Sequence, residues 1–444
     1  MSRPETSVTK GIAITAIGSC LPPAVLLVIQ ILLAQSLGVS GRGTAAAATA
    51  PLMLAIGLLT LGFPEAVTYF LAGSRAVRAV RQFVLTLIAL TISGLAGTCL
   101  LVALARPLSG NNDEIAALIG IASVALVPSL LTAALRGVAL GARRWWLVTA
   151  ERSLGALLQL AVICVLYVVE ELTPLTATLT ITASQFAGAV VYLAAPKWWR
   201  VLRASSQTEG TESFRELSLY AVRVWAGSIA GVILLRLDQV IMTPLAGVAQ
   251  LGIYVIAANL SNVALLFNSA VIQVMFAVES GDTNETRVGR AARITTLVTV
   301  FVAACLAAVA PFLIPILFGA EFSPATPVLL VLLLWICLSI PGSVAGAVLV
   351  GRGHPGLRSA SLAISTVVYV LAMFMLIPRW GALGAAFAMF LASVVPGYLN
   401  IYFLHKRCGV ELSEFYRFRK SDLHALQRAP TWLIRRVRSA RRKV

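Results

Sequence analysis

The chain has 444 residues, 59% of them hydrophobic and only 12% charged, with a net charge of +17. An ordinary soluble domain holds about 45 to 50% apolar and about 25% charged residues, so no soluble globule hides this much apolar surface. The positive charge invites a nucleic-acid reading, but the basic residues fall almost entirely in alternate loops, which excludes nucleic acid and points to a bilayer.

Runs of about 20 apolar residues recur nearly end to end and predict about twelve membrane helices. The first six cover residues 11–37, 44–70, 83–105, 115–140, 153–169 and 176–195. The second six cover residues 218–246, 251–277, 291–317, 325–350, 359–377 and 382–404. The first stretch exceeds a cleavable signal core and leads straight into another apolar segment, so it reads as a span. The expected fold is an all-α integral membrane protein with a six-helix bundle in residues 1–208, a second in 209–404 and a basic tail in 405–444.

Orientation follows from the loops. One side carries Arg75, Arg78 and Arg81, then Arg143, Arg144 and Arg152, then Lys197, Arg200, Arg203 and Arg215, then Arg287, Arg290 and Arg293, then Arg352 and Arg358. By the positive-inside rule that side is cytoplasmic, and so are both termini. The paired tryptophans Trp145–Trp146 and Trp198–Trp199 sit beside these arginines, where amphipathic rings favour the headgroup layer. Opposite loops are short and mix Arg42, Arg106 and Arg379 with Asp113, Glu114, Glu170, Glu171 and Glu321. The longest inner loop, residues 196–217, has a polar stretch of flexible-linker type near the midpoint and reads as the joint between two lobes. The close of the fourth span at Gly141 echoes that of the tenth at Gly351, and residues 37–43 echo 245–252. An even number of spans per half then implies a parallel repeat about an axis along the membrane normal.

Ionisable groups inside spans cost about 2.5 to 3.5 kcal/mol each at mid-helix, so each needs a reason. Arg236 and Asp238 lie near the middle of the seventh span, and their i, i+2 spacing points them to different sides of the helix. Each then calls for a partner on another helix, a water-filled cavity or a charged ligand. Glu65 follows Pro64, which weakens the local hydrogen-bond ladder, and it is a candidate partner for Arg236 or for a coupling cation. Arg136 and Arg223 lie one or two turns from the inner ends of their spans, where snorkelling to the headgroups also accounts for them. Facing a cavity, Arg136, Arg223 and Arg236 outnumber Glu65 and Asp238 and form a cationic interior suited to a phosphate or diphosphate.

Gly41, Arg42 and Gly43, and the glycines from Gly351 to Gly356, read as tight turns rather than phosphate cradles, because no strand precedes either. The three histidines, His354, His405 and His424, fall in loops or the tail, and no Cys/His/Asp cluster has metal-ligand spacing, so neither cofactor nor metal is expected. Five of the six cysteines lie in apolar runs, Cys408 being the exception, so none is placed for a disulfide. The tail interleaves Arg435, Arg436, Arg438, Arg441, Arg442 and Lys443 with Trp432, Leu433 and Ile434, which suits anionic membrane lipid.

Five segments together resemble the polysaccharide and O-antigen flippases of the multidrug/oligosaccharidyl-lipid/polysaccharide exporter superfamily. They are residues 37–43 with Gly38, Gly41 and Gly43; 61–66 with Gly62, Pro64 and Glu65; 236–239 with Arg236 and Asp238, taken together with 251–254 and its Gly252 and Tyr254; 317–322 with Phe318, Gly319 and Phe322; and 377–386 with Pro378, Gly381 and Gly384. The resemblance covers the chain up to about Leu404. It implies two six-helix bundles around a central cavity, moving a polyprenyl-diphosphate-linked oligosaccharide from the inner to the outer leaflet of a bacterial plasma membrane by alternating access. On that view Arg236, with Arg136 and Arg223, holds the diphosphate, Asp238 and Glu65 gate or couple to a cation, and a polysaccharide polymerase or synthesis complex is a partner. Lipid II flippases of this superfamily typically carry two further helices and first-span arginines, which this chain lacks. A multidrug or cation extruder of the same fold is the nearest alternative, and its expected reliance on acidic groups fits a cationic interior poorly. A membrane enzyme would normally need longer outer loops and a nucleophile–base pair. A non-transporting scaffold is the third alternative.

Overall fold

In lipid, backbone N–H and C=O groups must find partners within the protein, and an apolar run of about 20 residues does so as a helix. The computed structural model describes residues 6–72, 79–194, 214–279, 285–409 and Phe415, and among these there is no strand. Residues 196–213 of the linker, Trp198 and Trp199, Arg75 and Arg78, and the basic tail apart from residues 405–409 and Phe415 lie outside the described residues.

The helices are α1 (Thr6–Leu59), α2 (Phe63–Ala72), α3 (Ala79–Ala103), α4 (Ala105–Leu108), α5 (Asp113–Ser123), α6 (Leu126–Gly141), α7 (Trp145–Val168), α8 (Pro174–Ala187), α9 (Val190–Leu193), α10 (Phe214–Ala246), α11 (Val248–Glu279), α12 (Glu285–Phe318), α13 (Ala325–Gly351) and α14 (Pro355–Cys408). Among the described residues, ten helical stretches are long and apolar enough to cross a membrane. The two longest helices are each broken at one glycine: α1 at Gly38 (φ 62°) and α14 at Gly381 (φ 54°). A positive φ is open to glycine without the steric strain a Cβ would bring. The turn expected at Gly41–Arg42–Gly43 is therefore not formed; the corner is taken at Gly38, and the three residues after it are helical.

The described residues fall into two compact units. The larger holds Ser7–Ile256 with Pro315–Phe322, and the smaller the described parts of Ala257–Ile314 and Ser323–Val444.

In the larger unit, the outgoing half of α1 and α2 run antiparallel to α10. Small residues set the approach. A Cβ on Gly57 would lie 2.6 Å from Val232, and one on Gly62 2.2 Å from the Ala221 carbonyl. The Trp225 indole N–H donates to the Leu58 carbonyl at 2.6 Å, and Tyr69 and Tyr220 stack with ring centroids 4.5 Å apart. At the Gly38 corner the packing is reciprocal: a Cβ on Gly43 would meet the Val248 carbonyl at 1.9 Å, and one on Gly252 the Val39 carbonyl at 2.2 Å. Both pairs are related by one shift of 209 residues, and the same shift carries Gly38 onto Gly247, also at positive φ (85°).

A second repeated detail closes α6 and α13. Arg143 and Arg144 donate backbone N–H groups to the Leu140 and Ala139 carbonyls, and Gly353 and His354 donate to Val350 and Leu349 in the same pattern 210 residues later. Each is a Schellman closure with its turn residue, Arg143 (φ 55°) or Gly353 (φ 83°), in the left-handed region. The internal repeat suspected from sequence is thus written into the backbone.

The smaller unit is organised by α13 against α14. A Cβ on Gly342 would lie 2.2 Å from the Gly397 Cα, the Asn400 amide donates to the Gly342 carbonyl at 3.1 Å, and the Ser365 hydroxyl donates to the Ala392 carbonyl at 2.6 Å.

Candidate functional site

Four clusters of charge sit on apolar helices of the larger unit. On α10, Arg236 is exposed and Asp238 is only 4% exposed, so the two occupy different faces of one turn. The Tyr254 hydroxyl from α11 donates to the Asp238 carboxylate, and the Gln239 backbone N–H donates to Asp238 Oδ1 at 2.8 Å. The Gly247 corner folds α11 back far enough for a residue 16 positions away to reach. Arg236 makes no ion pair with any described residue.

Glu65 on α2 and Arg223 on α10 are both exposed. The register set by Gly57 against Val232 and Gly43 against Val248 puts Arg236 level with about residue 53. Twelve residues then separate that level from Glu65, about 18 Å along the helix. The sequence-level pairing of Glu65 with Arg236 is therefore not formed; Glu65 lies close to the level of Arg223.

Arg136 has a different environment. Its Nε and Nη2 donate to Glu151 Oε2 and Oε1 of α7 at 3.1 and 2.7 Å, and the Tyr192 hydroxyl of α9 donates to Oε2 at 3.0 Å. Glu151 is 4% exposed and the Arg136 side chain 29%. Gly188 lets the chain entering α9 come this close, since a Cβ there would lie 2.1 Å from the Glu151 carbonyl. Two of the Arg136 donor nitrogens are thus committed to a carboxylate, in the bidentate form that suits a guanidinium best. Glu151 escapes sequence reasoning because it lies two residues before the predicted fifth span, beside Arg152 of the arginine-rich loop. The signal was an acidic residue on the apolar side of a tryptophan anchor. Counting it, Arg136, Arg223 and Arg236 face three carboxylates, and the basic excess read from those residues disappears.

Arg42 restores it. The sequence puts Arg42 in a short outer loop; the structure puts it inside α1, 4% exposed, with Nη2 donating to Gln30 Oε1 at 2.5 Å. Its Nε has no hydrogen-bond partner among the described residues. Among those residues no group of three or more metal-ligating side chains comes together.

Among the described residues the chain is helical throughout and multi-pass, with an internal repeat and arginines on its spans, the architecture of a polytopic membrane protein. The comparisons place that fold. The structure is similar to one described as lipid II flippase MurJ in an inward closed conformation, with a TM-score of 0.71 and 12% identity over 91% of this chain and 89% of that one. It is also similar to an inward-facing multidrug resistance MATE family transporter of the MOP superfamily (TM-score 0.63, 15% identity, 89% and 98% covered) and to a point mutant of the Vibrio cholerae MATE transporter VcmN (TM-score 0.58, 16% identity, 90% and 99% covered). At these identities the likeness shows the fold. A search of curated proteins by sequence finds no match. The family model described as polysaccharide biosynthesis protein matches residues 8–280, and the chain belongs to that family.

Proposed function

We propose that the protein is a flippase that moves a polyprenyl-diphosphate-linked oligosaccharide, a precursor of cell-surface polysaccharide, from the inner to the outer leaflet of a bacterial plasma membrane by alternating access. The observation that carries this reading is the polysaccharide-biosynthesis family match over residues 8–280 on a fold shared with a lipid II flippase. On this reading the chain is a carrier and not an enzyme. It has twelve spans, a count supported by the glycine breaks at Gly38 and Gly381, which divide the two longest of the ten candidate stretches. Both termini are cytoplasmic, as the arginine-rich loops argue.

A charged diphosphate crosses about 30 Å of hydrocarbon only along a path that offers it counter-charge. Arg236 supplies that charge near mid-span, exposed and without an ion pair among the described residues. Arg223 and Glu65 serve near the inner mouth, and Asp238, held by Tyr254, is the gating or cation-coupling group. Arg136 is left out of the ligand set because Glu151 already occupies it.

The test is export. Arg236→Ala should abolish surface polysaccharide while the protein inserts at wild-type level, and normal export at matched levels removes the reading. A drug or cation extruder is the second reading, favoured by the buried Asp238 and the likeness to MATE transporters. It predicts that Asp238→Asn abolishes drug resistance while Arg236→Ala leaves both resistance and polysaccharide intact.

A further inference from the structure

Arg42 poses a problem that the packing around it leaves open. Its guanidinium carries five N–H donors and a fixed charge. Among the described residues one neutral acceptor, Gln30 Oε1, takes a bond from Nη2, Nε is buried without a partner, and no carboxylate pairs with it. Such an arrangement leaves a cation without compensation in a poorly solvated place.

Depth sharpens the problem. Arg42 lies four residues after the Gly38 corner, but its side chain reaches back to Gln30, eight residues before it. At 1.5 Å per residue, Gln30 is about 12 Å below the corner, so the guanidinium points inward along the span and away from the headgroups. Snorkelling, which excuses arginines near span ends, runs the other way. By the 209-residue repeat, Gln30 corresponds to Gln239, the neighbour of Asp238, and so the guanidinium reaches the level at which α10 carries its own polar groups.

We infer that Arg42, oriented by Gln30, is an anion-binding site on the translocation path, where it takes a phosphate group of the transported substrate. A guanidinium fork matches a phosphate edge, and with Nη2 bonded to Gln30 the side chain is fixed in place while its buried Nε keeps an unused donor. The choice of a lipid diphosphate as the physiological anion rests on the flippase reading; the anion site does not.

The test uses the full-length protein in nanodiscs of phosphatidylcholine, titrated separately with polyprenyl diphosphate and with inorganic pyrophosphate. Wild type, Arg42→Met and Arg42→Lys are compared, with unliganded melting temperature and affinity both read. Arg42→Met should weaken both ligands by about tenfold or more and leave the unliganded melting temperature unchanged or higher, because it removes a buried charge that lacks a counter-ion. Arg42→Lys, which keeps the charge but loses the fork, should weaken binding by about threefold or more. It decides the question alone if Arg42→Met does not fold.

Unchanged affinity in these variants, with a lower melting temperature, makes Arg42 a packing group and overturns the site. Wild type that binds neither ligand overturns it as well. Arg42-dependent binding of pyrophosphate without binding of the lipid leaves the anion site standing and removes the lipid-diphosphate substrate. Lipid binding that ignores Arg42 does the reverse.

Discussion

Replacing Glu151 by alanine strips Arg136 of two hydrogen bonds, at 3.1 and 2.7 Å, and leaves the Tyr192 hydroxyl without its 3.0 Å acceptor. Removing one partner of a buried ion pair costs about 3 to 5 kcal/mol. The Arg136 side chain is 29% exposed, so water and headgroups recover part of that, and the expected loss is about 2 to 3 kcal/mol. The melting temperature of the purified protein should fall by roughly 4 to 6 °C, at about 2 °C per kcal/mol for a chain of this size. Replacing both partners with apolar residues of similar volume, Arg136→Met with Glu151→Leu, removes the charges together and should recover most of the loss. Export assayed in the same strains separates the two roles Arg136 could have. A pair that only joins α6, α7 and α9 gives a double variant that is stable and exports. An arginine that also binds substrate gives one that is stable and does not export. Losses that simply add in the double variant, or an unchanged melting temperature for Glu151→Ala, would refute the reasoning that these groups hold the three helices together.

Other expectations follow from the same packing. Gly43→Ala and Gly252→Ala each drive a methyl group into a facing carbonyl, and both should lower the melting temperature, whereas Gly231→Ala, with open space at its Cβ, should raise stability by about 1 kcal/mol through helix propensity. Trp225→Phe deletes the 2.6 Å bond to the Leu58 carbonyl and should cost about 1 kcal/mol in thermal unfolding, with no change in a Gly231→Ala background. Tyr254→Phe takes a donor from a buried carboxylate and should cost about 1.5 to 3 kcal/mol, a loss that Asp238→Asn partly offsets in a double-mutant cycle. Single cysteines at Asn111 and at His354, in a background without native cysteines, should label with an impermeant reagent from outside and from inside respectively; the reverse result overturns the proposed orientation.

Much of the architecture was legible in the sequence, and the reasons are visible at particular residues. The arginines at 143, 144 and 352 marked span ends because charge punctuates apolar runs, whereas the break between Leu59 and Phe63 falls inside the predicted second span, where apolar residues continue through it. The repeat was legible only faintly, since Gly38–Val39–Gly43 and Gly247–Val248–Gly252 are common residues; what distinguishes them is a shared positive φ and reciprocal packing, which no composition reports. The site was legible in part. Arg236 and Asp238 could be picked out and separated by their spacing alone. Glu151 could not be matched to Arg136 on its neighbouring helix, nor Gln30 to Arg42 across the Gly38 break in α1, because partners 15 and 12 residues apart meet only when the rotation of each helical segment is known.

Apolar run length and the placement of arginines are enough to mark a multi-pass helical membrane protein with basic loops. Hydrocarbon enforces this: a segment that must satisfy its own backbone hydrogen bonds has one solution, and apolar length reports it directly. Only the tertiary structure decided which charges neutralise each other and which stay uncompensated. The tight turn at Arg143 folds α7 back so that Glu151 meets Arg136, close approach at Gly188 brings Tyr192 to the same carboxylate, and the one-residue corner at Gly38 turns Arg42 inward. Such outcomes depend on the rotation and separation of neighbouring helices, and the side chains that set these act at contacts far apart along the chain.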